Sequence, residues 1–271
     1  MLKEWSNIES IFYDGTIVTD TLEIEGTRRC GFNCAHCYHG PAENKSMLSD
    51  TLDAIFTEHK NIDYIALTGG EYSTDLNAFD KVRASLERTR PKFSYLGVFT
   101  NGMKPSRDFF DIANGIASLS ENFETLVTLS NDEFHYNEYK RLGLDFEENK
   151  ARFKEFKKNF GRVVFKSVPY KSKADYSESS DKNFLLYDCG NACKLKGLKK
   201  KNHEKVDSTF LRFAKLPKKW PYALMLESIC YNVNGDIVKS PTSYKEGDKR
   251  SLGNINTIYN MHDFYLEHGR D

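Results

Sequence analysis

Short apolar runs alternate with amphipathic stretches through the first 170 residues of the chain. The runs that predict β-strands lie at 21–25, 62–67, 93–100, 124–129 and 162–167. The stretches that predict helices lie at 49–60, 76–89, 106–119 and 145–160, and in the second of these Leu76, Phe79, Val82 and Leu86 recur at helical spacing. Strands that alternate with helices are typical of βαβ units, so the pattern predicts a parallel sheet with helices packed against it.

The pattern changes after residue 170. Residues 171–183 are polar and without periodicity, which predicts a linker or a crossing loop. Beyond them, Asn234-Gly235 predicts a hairpin, and residues 256–266 predict a closing amphipathic helix. We therefore expect a core at 1–170 and a small C-terminal α+β extension at 171–271.

The composition excludes several classes of protein. Of the 271 residues, 39% are hydrophobic, which excludes a wholly disordered chain. Lys plus Arg and Asp plus Glu both number 39, so the formal net charge is zero and there is no strong nucleic-acid signal. The sequence starts without the apolar stretch of a signal peptide, and no run is long enough to span a bilayer. We expect a cytoplasmic protein with no membrane partner.

Three of the six cysteines, Cys30, Cys34 and Cys37, fall within eight residues. Their spacing is also that of a helix face, but the glycine, asparagine and Gly-Pro residues around them favour a loop. Clustered thiols in a reducing compartment indicate a metal site. Two alternatives stay open: a zinc ion with His36 or His39 as the fourth ligand, or an iron–sulfur cluster with one iron left open.

The cysteines form a CxxxCxxC motif that an aromatic residue, Tyr38, follows directly. Gly69-Gly70-Glu71 follows the second predicted strand, and Thr100-Asn101-Gly102 ends the third. In this order and spacing the motifs resemble the radical SAM superfamily, over about residues 20–170. The resemblance implies an α/β fold, a partial (β/α)6 TIM-like barrel, with the motifs at the carboxyl ends of its strands.

The resemblance also implies two cofactors. Cys30, Cys34 and Cys37 would hold three irons of a [4Fe–4S] cluster, and S-adenosylmethionine would chelate the fourth iron. One electron, from a donor such as flavodoxin or ferredoxin, would cleave S-adenosylmethionine to a 5′-deoxyadenosyl radical. That radical would abstract a hydrogen atom from the substrate.

Further cofactor-binding residues follow from the same resemblance. Glu71, with the backbone of Gly69 and Gly70, would bind the methionine ammonium. Ser130 would meet the methionine carboxylate or the ribose. Arg141 would pair with that carboxylate, or it is an ordinary solvated helix arginine. The remaining candidates for cofactor binding are Tyr38 and Asn101.

Other polar residues lie beside these motifs. Arg28 and Arg29 precede the first cysteine and would either shield the charge of a cluster or face solvent. Asp132 and His135, after the fourth predicted strand, would lie at the mouth where substrate enters, or would form a helix cap and first turn.

The other cysteines are Cys189, Cys193 and Cys230. The stretch around Cys230, with its Asn-Gly-Asp-Ile-Val hairpin, is similar to the SPASM/twitch extensions of the superfamily, which hold an auxiliary iron–sulfur cluster. A cysteine usually follows that hairpin, and here Ser240 stands near its place. Three alternatives stay open: a second cluster with an open iron or a non-cysteine ligand, buried structural thiols, or Cys230 as a hydrogen-atom donor.

The expected function is that of a radical SAM enzyme that acts on one of two classes of substrate, and a third alternative has no enzyme activity. The first is the modification of a ribosomally made peptide, and the second is a reaction on a small molecule such as an amino sugar or nucleoside. The third is a metal-binding module without enzyme activity. Six lysines between Lys194 and Lys205 predict a solvated loop or a surface that attracts an acidic peptide or a phosphate.

Overall fold

The computed structural model describes residues 17–178, 186–187, 190–198, 200–201, 211–215, 224–238 and 251–270. Its helices are α1 (Ser49–Glu58), α2 (Leu76–Thr89), α3 (Arg107–Ala117), α4 (Glu133–Arg141), α5 (Phe146–Lys157), α6 (Lys173–Glu178) and α7 (Met261–His268), with a 3₁₀ turn at Gly190–Lys194. Its strands are β1 (Ile17–Thr27), β2 (Asn61–Gly69), β3 (Lys92–Thr100), β4 (Thr125–Leu129), β5 (Val163–Ser167), β6 (Leu186–Tyr187), β7 (Lys200–Lys201), β8 (Leu211–Lys215), β9 (Leu224–Tyr231), β10 (Asp236–Val238), β11 (Ser251–Asn254) and β12 (Gly269–Arg270). Among the residues described, no helix combines the length and apolar character that a membrane crossing requires.

Six parallel strands form the centre of the main sheet, in the order β9-β1-β2-β3-β4-β5. Strands β10 and β11 extend the sheet beyond β9 with antiparallel pairing, and β8 also pairs antiparallel with β9. In the described part of the chain, β5 and β11 are the two ends of this path, so the sheet stays open. The predicted α/β fold, a partial TIM-like barrel, is confirmed.

The predicted helices between these strands are present, and capping side chains set where α2, α3 and α5 begin. Helix α2 has the predicted bounds, because the Asp75 carboxylate accepts the Ala78 N–H at 3.3 Å and Arg90 ends the helix in the left-handed region at φ 51°. Helices α3 and α5 begin one residue later than predicted. Ser106 and Asp145, the predicted first residues, are instead the N-caps.

The two faces of the sheet have different chemistry. Ile24 of β1 is in register with Leu67 of β2, and both are buried against the helices. One position away, Glu23 of β1, Ala66 of β2 and Gly97 of β3 share a register row on the opposite face. Because strand residues alternate between faces, Ile24 and Leu67 face the helices, and the row of Glu23, Ala66 and Gly97 lies on the inner face of the partial barrel.

The C-terminal region joins the same sheet. Strand β9 runs parallel to β1, with Cys230 opposite Glu23. The predicted hairpin is confirmed, since β9 turns through Asn234 and Gly235, at φ 83°, into antiparallel β10. Residues on both sides of position 170 therefore share one sheet, and the domain boundary there stays a prediction.

Two predicted elements of this region differ from the structure. The predicted linker at 171–183 contains helix α6, and its residues 179–183 lie outside the described part. The closing helix begins at Met261 instead of residue 256. The preceding residues form a turn in which Asn254 accepts the backbone N–H groups of Asn256 and Thr257.

Candidate active site and metal centre

A cavity of about 320 Å³ lies at the carboxyl ends of β1 to β4. It is where the residues singled out in the sequence meet. The predicted residues that line it are Cys30, Cys34, Cys37, Tyr38, Gly69, Gly70, Glu71, Asn101 and Ser130. Arg141 and Cys230 lie outside this lining. Segments as far apart as residues 30 and 130 thus contribute to one site, as expected for the carboxyl edge of a parallel sheet.

The cysteine loop leaves β1 and is held by a buried arginine. Arg28 is 4% exposed and donates to the carbonyl oxygens of His39 at 2.6 Å and Pro41 at 2.8 Å. It also pairs with Glu25 at 3.2 Å. Of the two predicted interpretations of Arg28, exposure to solvent is wrong. Arg29 is 47% exposed and lies 3.7 Å from Asp75.

Burial makes the three thiols of the loop hard to ionise by themselves. It raises the pKa of Cys30 to about 12, with a further contribution from Glu71. Burial and the other cysteines also raise the pKa of Cys34, and burial raises that of Cys37. A bound cation would reverse this preference, because a coordinating thiol is deprotonated. The donor set therefore suits a metal centre.

Histidine side chains of the cavity add further candidate ligands. Among the described residues, one set of three His, Cys, Asp or Glu side chains has ligand atoms that all lie within 4.8 Å of one another: Cys34, His36 and His135. His36 was one of the two predicted candidates for a fourth zinc ligand. The choice between zinc and an iron–sulfur cluster for the three thiols stays a prediction.

Glu71 connects two of the sequence motifs. Its side chain is 1% exposed and accepts hydrogen bonds from the Thr100 hydroxyl at 2.6 Å, the Asn101 N–H at 2.5 Å and the Ser73 N–H at 2.9 Å. Burial raises its pKa, although these bonds oppose the shift. The carboxylate thus fixes the Thr-Asn-Gly loop against the Gly-Gly-Glu loop.

The two glycines before Glu71 permit a close approach to the cysteine loop. Gly69 has φ 106°, and a Cβ there would lie 2.4 Å from the Thr27 carbonyl oxygen. A Cβ on Gly70 would lie 2.2 Å from the Arg29 carbonyl oxygen. Both glycines are therefore needed for the close packing of the two loops. Their predicted contact with the methionine ammonium stays a prediction.

Three further predicted residues face the cavity. The Asn101 amide lies 3.5 Å from the Cys30 sulfur. Ser130 follows β4, and its N–H donates to the Thr100 carbonyl oxygen at 2.9 Å. The Tyr38 ring lies 4.2 Å from that of His39, and burial among carboxylates and thiols raises the pKa of its phenol.

Arg141 contacts the cysteine loop from outside the cavity. Its guanidinium pairs with Glu138 at 2.7 Å and is half-exposed. The same Glu138 oxygen accepts the backbone N–H of Asn33, also at 2.7 Å. These contacts anchor the loop to helix α4. They match the surface-helix interpretation of Arg141, and its role toward a cofactor stays a prediction.

The contacts between Asn191 and the cysteine loop were not predicted. Asn191 donates its backbone N–H to the Cys37 carbonyl oxygen at 2.8 Å and its side-chain amide to the Cys34 carbonyl oxygen at 3.2 Å. Nearby, Leu195 and Leu198 pack against Phe134 of α4. The only sequence signal was the position of Asn191 between two cysteines. The C-terminal region thus supports the loop directly.

The second cysteine triplet is described in part. Cys230 is 1% exposed on β9, and burial among Glu23 and Glu25 raises the pKa of its thiol. Cys189 and the side chain of Cys193 lie outside the described residues. Their predicted convergence with Cys230 on an auxiliary cluster therefore stays a prediction.

Asp132 is the N-cap of helix α4 and faces two histidines of the cavity wall. Its carboxylate accepts the N–H groups of Phe134 and His135 at 3.0 Å, so the predicted helix cap is confirmed. It also bonds His135 Nδ1 at 2.7 Å and lies 3.6 Å from His36 Nε2. Burial and the neighbouring His135 lower the pKa of His36 to about 4, so His36 is neutral at pH 7.

No protein-family model and no curated protein matches the chain, but solved structures resemble its fold. Native anSMEcpe with bound AdoMet and Cp18Cys peptide is 16% identical, with a TM-score of 0.50 over 91% of this chain and 80% of that one. BtrN in complex with AdoMet and 2-DOIA is 15% identical, with a TM-score of 0.48 over 91% and 82%. Streptococcus suis SuiB bound to precursor peptide SuiA is 10% identical, with a TM-score of 0.42 over 96% and 69%. The first of these likenesses supports the partial-barrel fold.

Proposed function

We propose that this protein is a radical SAM enzyme. The observation that carries the proposal is the convergence of three buried thiols, the Gly-Gly-Glu loop and the Thr-Asn-Gly loop on one cavity at the carboxyl edge of the sheet. The protein that it resembles in fold, anSMEcpe, binds AdoMet, which is consistent with the proposal.

Cys30, Cys34 and Cys37 would hold three irons of a [4Fe–4S] cluster. When bound, the cluster and S-adenosylmethionine would supply the means to abstract a hydrogen atom from the substrate, as a 5′-deoxyadenosyl radical, with one electron from a donor such as flavodoxin or ferredoxin. The protein itself holds the cysteine loop in place through Arg28 and Glu138 and shields the thiols from water.

Glu71 has capacity left for the methionine ammonium. An ionised carboxylate offers about four acceptor sites, and three of them are used by Ser73, Thr100 and Asn101. One site remains on a group that lines the cavity. Ser130, Asn101 and Tyr38 line the same cavity and would contact the rest of the cofactor.

The proposed substrate is a ribosomally made peptide. Aromatic side chains run along the inner face of the sheet toward the cavity: Tyr64 and Tyr95 are stacked 4.8 Å apart, and Phe99, on the cavity wall, is 45% exposed. Such an extended surface suits the side chains of a peptide. The cavity volume lies within the range of small-molecule sites, at its lower end. A small-molecule substrate is therefore the second candidate.

Anaerobic reconstitution tests the proposed activity. We expect about four irons and four sulfides for the cluster held by this loop, and 5′-deoxyadenosine from S-adenosylmethionine after reduction with dithionite. The Cys30→Ala/Cys34→Ala/Cys37→Ala triple variant should hold about four irons and four sulfides fewer than the wild type and should form no 5′-deoxyadenosine. Wild-type protein that binds iron and sulfide but yields no 5′-deoxyadenosine would support the metal-binding module instead.

Fractionated cell extract separates the two substrate classes. If a peptide is the substrate, a peptide fraction should stimulate 5′-deoxyadenosine formation, and prior protease treatment should remove the stimulation. Stimulation that resists protease and resides in the small-molecule fraction would contradict the peptide proposal without affecting the radical SAM assignment.

A further inference from the structure

Asp132 faces one nitrogen of each of two histidines. His135 Nδ1 bonds the carboxylate at 2.7 Å, and His36 Nε2 lies 3.6 Å from the same oxygen. The second nitrogen of each ring is therefore turned away from Asp132. For His36 this is Nδ1, which is buried and has no hydrogen-bond partner among the described residues.

The His36 ring is held in this orientation by packing. It stacks on Phe134, with the ring centroids 4.4 Å apart and the planes within 15°. The His135 ring stands edge-on to it at 5.0 Å. One ring nitrogen of each histidine and the Cys34 sulfur all lie within 4.8 Å of one another.

We propose that Cys34, His36 and His135 form a mononuclear site for a divalent transition metal ion such as zinc. One thiolate and two imidazoles are a donor set that zinc prefers, with water in the fourth position. Asp132 behind His135 corresponds to the carboxylate that commonly orients a metal-bound histidine and fixes its tautomer.

The site requires only a small closure. Zinc–sulfur and zinc–nitrogen bonds of about 2.3 and 2.1 Å place tetrahedral ligand atoms about 3.4–3.6 Å apart. Separations of up to 4.8 Å must therefore shorten by about 1 Å. Small side-chain rotations of a loop cysteine and a loop histidine can provide this.

Because Cys34 belongs to both centres, the mononuclear ion and the proposed cluster exclude each other. The proposal of the mononuclear site is argued from the positions of its three ligands and their neighbours and does not depend on the proposed function. Its consequence for cluster assembly, that zinc blocks iron loading, rests on the proposed function.

Cobalt binding to the full chain prepared without iron tests the site. We expect one Co²⁺ per chain, with the visible bands of tetrahedral cobalt and a thiolate-to-cobalt charge-transfer band. His135→Ala and His36→Ala should each remove these bands. Cys30→Ala is the control, because Cys30 lines the same cavity but is not a proposed ligand of the mononuclear site, and this variant should keep the bands. Asp132→Asn keeps a residue that can cap helix α4 and should weaken binding about 10- to 100-fold.

Iron loading distinguishes the mononuclear site from the proposed iron–sulfur cluster. Under anaerobic reconstitution, Cys30→Ala should lose the cluster and retain cobalt, whereas His135→Ala should retain the cluster and lose cobalt. One equivalent of Zn²⁺ added first should lower iron uptake in the wild type and not in His135→Ala. Absence of cobalt binding to the wild type, or its equal loss in Cys30→Ala, would overturn the mononuclear site and leave the radical SAM proposal standing. Circular dichroism checks the fold of each variant. If His135→Ala does not fold, the same cobalt and iron measurements on His36→Ala test the mononuclear site.

Discussion

The Glu71 carboxylate accepts the backbone N–H of Asn101 at 2.5 Å. This bond joins two motifs that lie 30 residues apart in sequence and follow neighbouring parallel strands. Glu71 therefore has two tasks in the proposed enzyme: it fixes the loop after β3, and it retains one acceptor site for the methionine ammonium. A substitution that keeps the shape of the side chain can distinguish a loss of cofactor binding from a general loss of structure.

Glu71→Gln should weaken S-adenosylmethionine binding and leave the cluster in place. The amide removes the charge that attracts the ammonium, and a charge-assisted hydrogen bond contributes about 1.5–3 kcal/mol, or roughly 10- to 150-fold in affinity. Anaerobic binding measurements and iron analysis on the same sample check this. An unchanged affinity would remove Glu71 from the cofactor contacts.

Single replacement of Cys30, Cys34 or Cys37 by Ala should abolish 5′-deoxyadenosine formation. Each thiolate would fix one iron of the proposed cluster. Cys230→Ala is the matched control for this cleavage step, since Cys230 is buried outside the cavity lining. Retained cleavage in any one of the three variants would contradict the ligand assignment.

The second cysteine triplet is expected to bind an auxiliary cluster. The wild type should then contain about eight irons after anaerobic reconstitution, and the Cys189→Ala/Cys193→Ala/Cys230→Ala variant about four. If the wild type holds four irons, and Cys230→Ala cleaves S-adenosylmethionine but forms no product, Cys230 is instead the hydrogen-atom donor. If neither the iron content nor the product changes in these variants, the second cysteine triplet has only a structural role.

Asn191→Ala should make the proposed cluster easier to lose. The variant keeps the backbone bond to Cys37 but loses the amide bond to the Cys34 carbonyl oxygen, which contributes about 1 kcal/mol. Iron release to a chelator should be several-fold faster than in the wild type. Asn159→Ala, at an exposed turn position after α5, is the control and should release iron at the wild-type rate.

Glu23 should make the protein less stable as the pH rises. Burial raises the pKa of its carboxyl from 4.5 to about 7, although the hydrogen bond with Thr68 opposes the shift. Between these two values the unfolded chain loses the proton while the folded chain retains it. Stability is therefore lost as the pH rises through this window, by a total on the order of 3 kcal/mol.

Urea unfolding of the wild type and Glu23→Gln at several pH values checks this prediction. The free energy of unfolding of the wild type should fall relative to that of the variant between pH 4.5 and 7. Below pH 4.5 the difference should be constant. A difference that does not depend on pH would show that Glu23 keeps an ordinary pKa in the folded protein.

Local patterns predicted most of the elements in the first 170 residues. The five strands and helices α1, α2, α3 and α5 follow from apolar periodicity, because each element must place its apolar residues on the helix–sheet interface. Helix α4 was expected only as one alternative, from the capping residue Asp132. Errors at the ends of helices arose at Ser106 and Asp145, where the side chain caps the helix from outside it. The C-terminal region was predicted less well, since its short elements carry little periodicity.

Local residue patterns specify the side chains available to this protein: three cysteines whose spacing predicts a metal centre, a Gly-Gly-Glu loop, and strands whose carboxyl ends carry these motifs. Which partners these side chains meet depends on how the strands and helices pack. The tertiary structure placed β9 beside β1, set Glu71 against Asn101, brought Asn191 onto the cysteine loop and grouped Cys34 with two histidines. These contacts join residues far apart in the chain, so they depend on strand register and on the packing of the whole sheet, which no local pattern encodes.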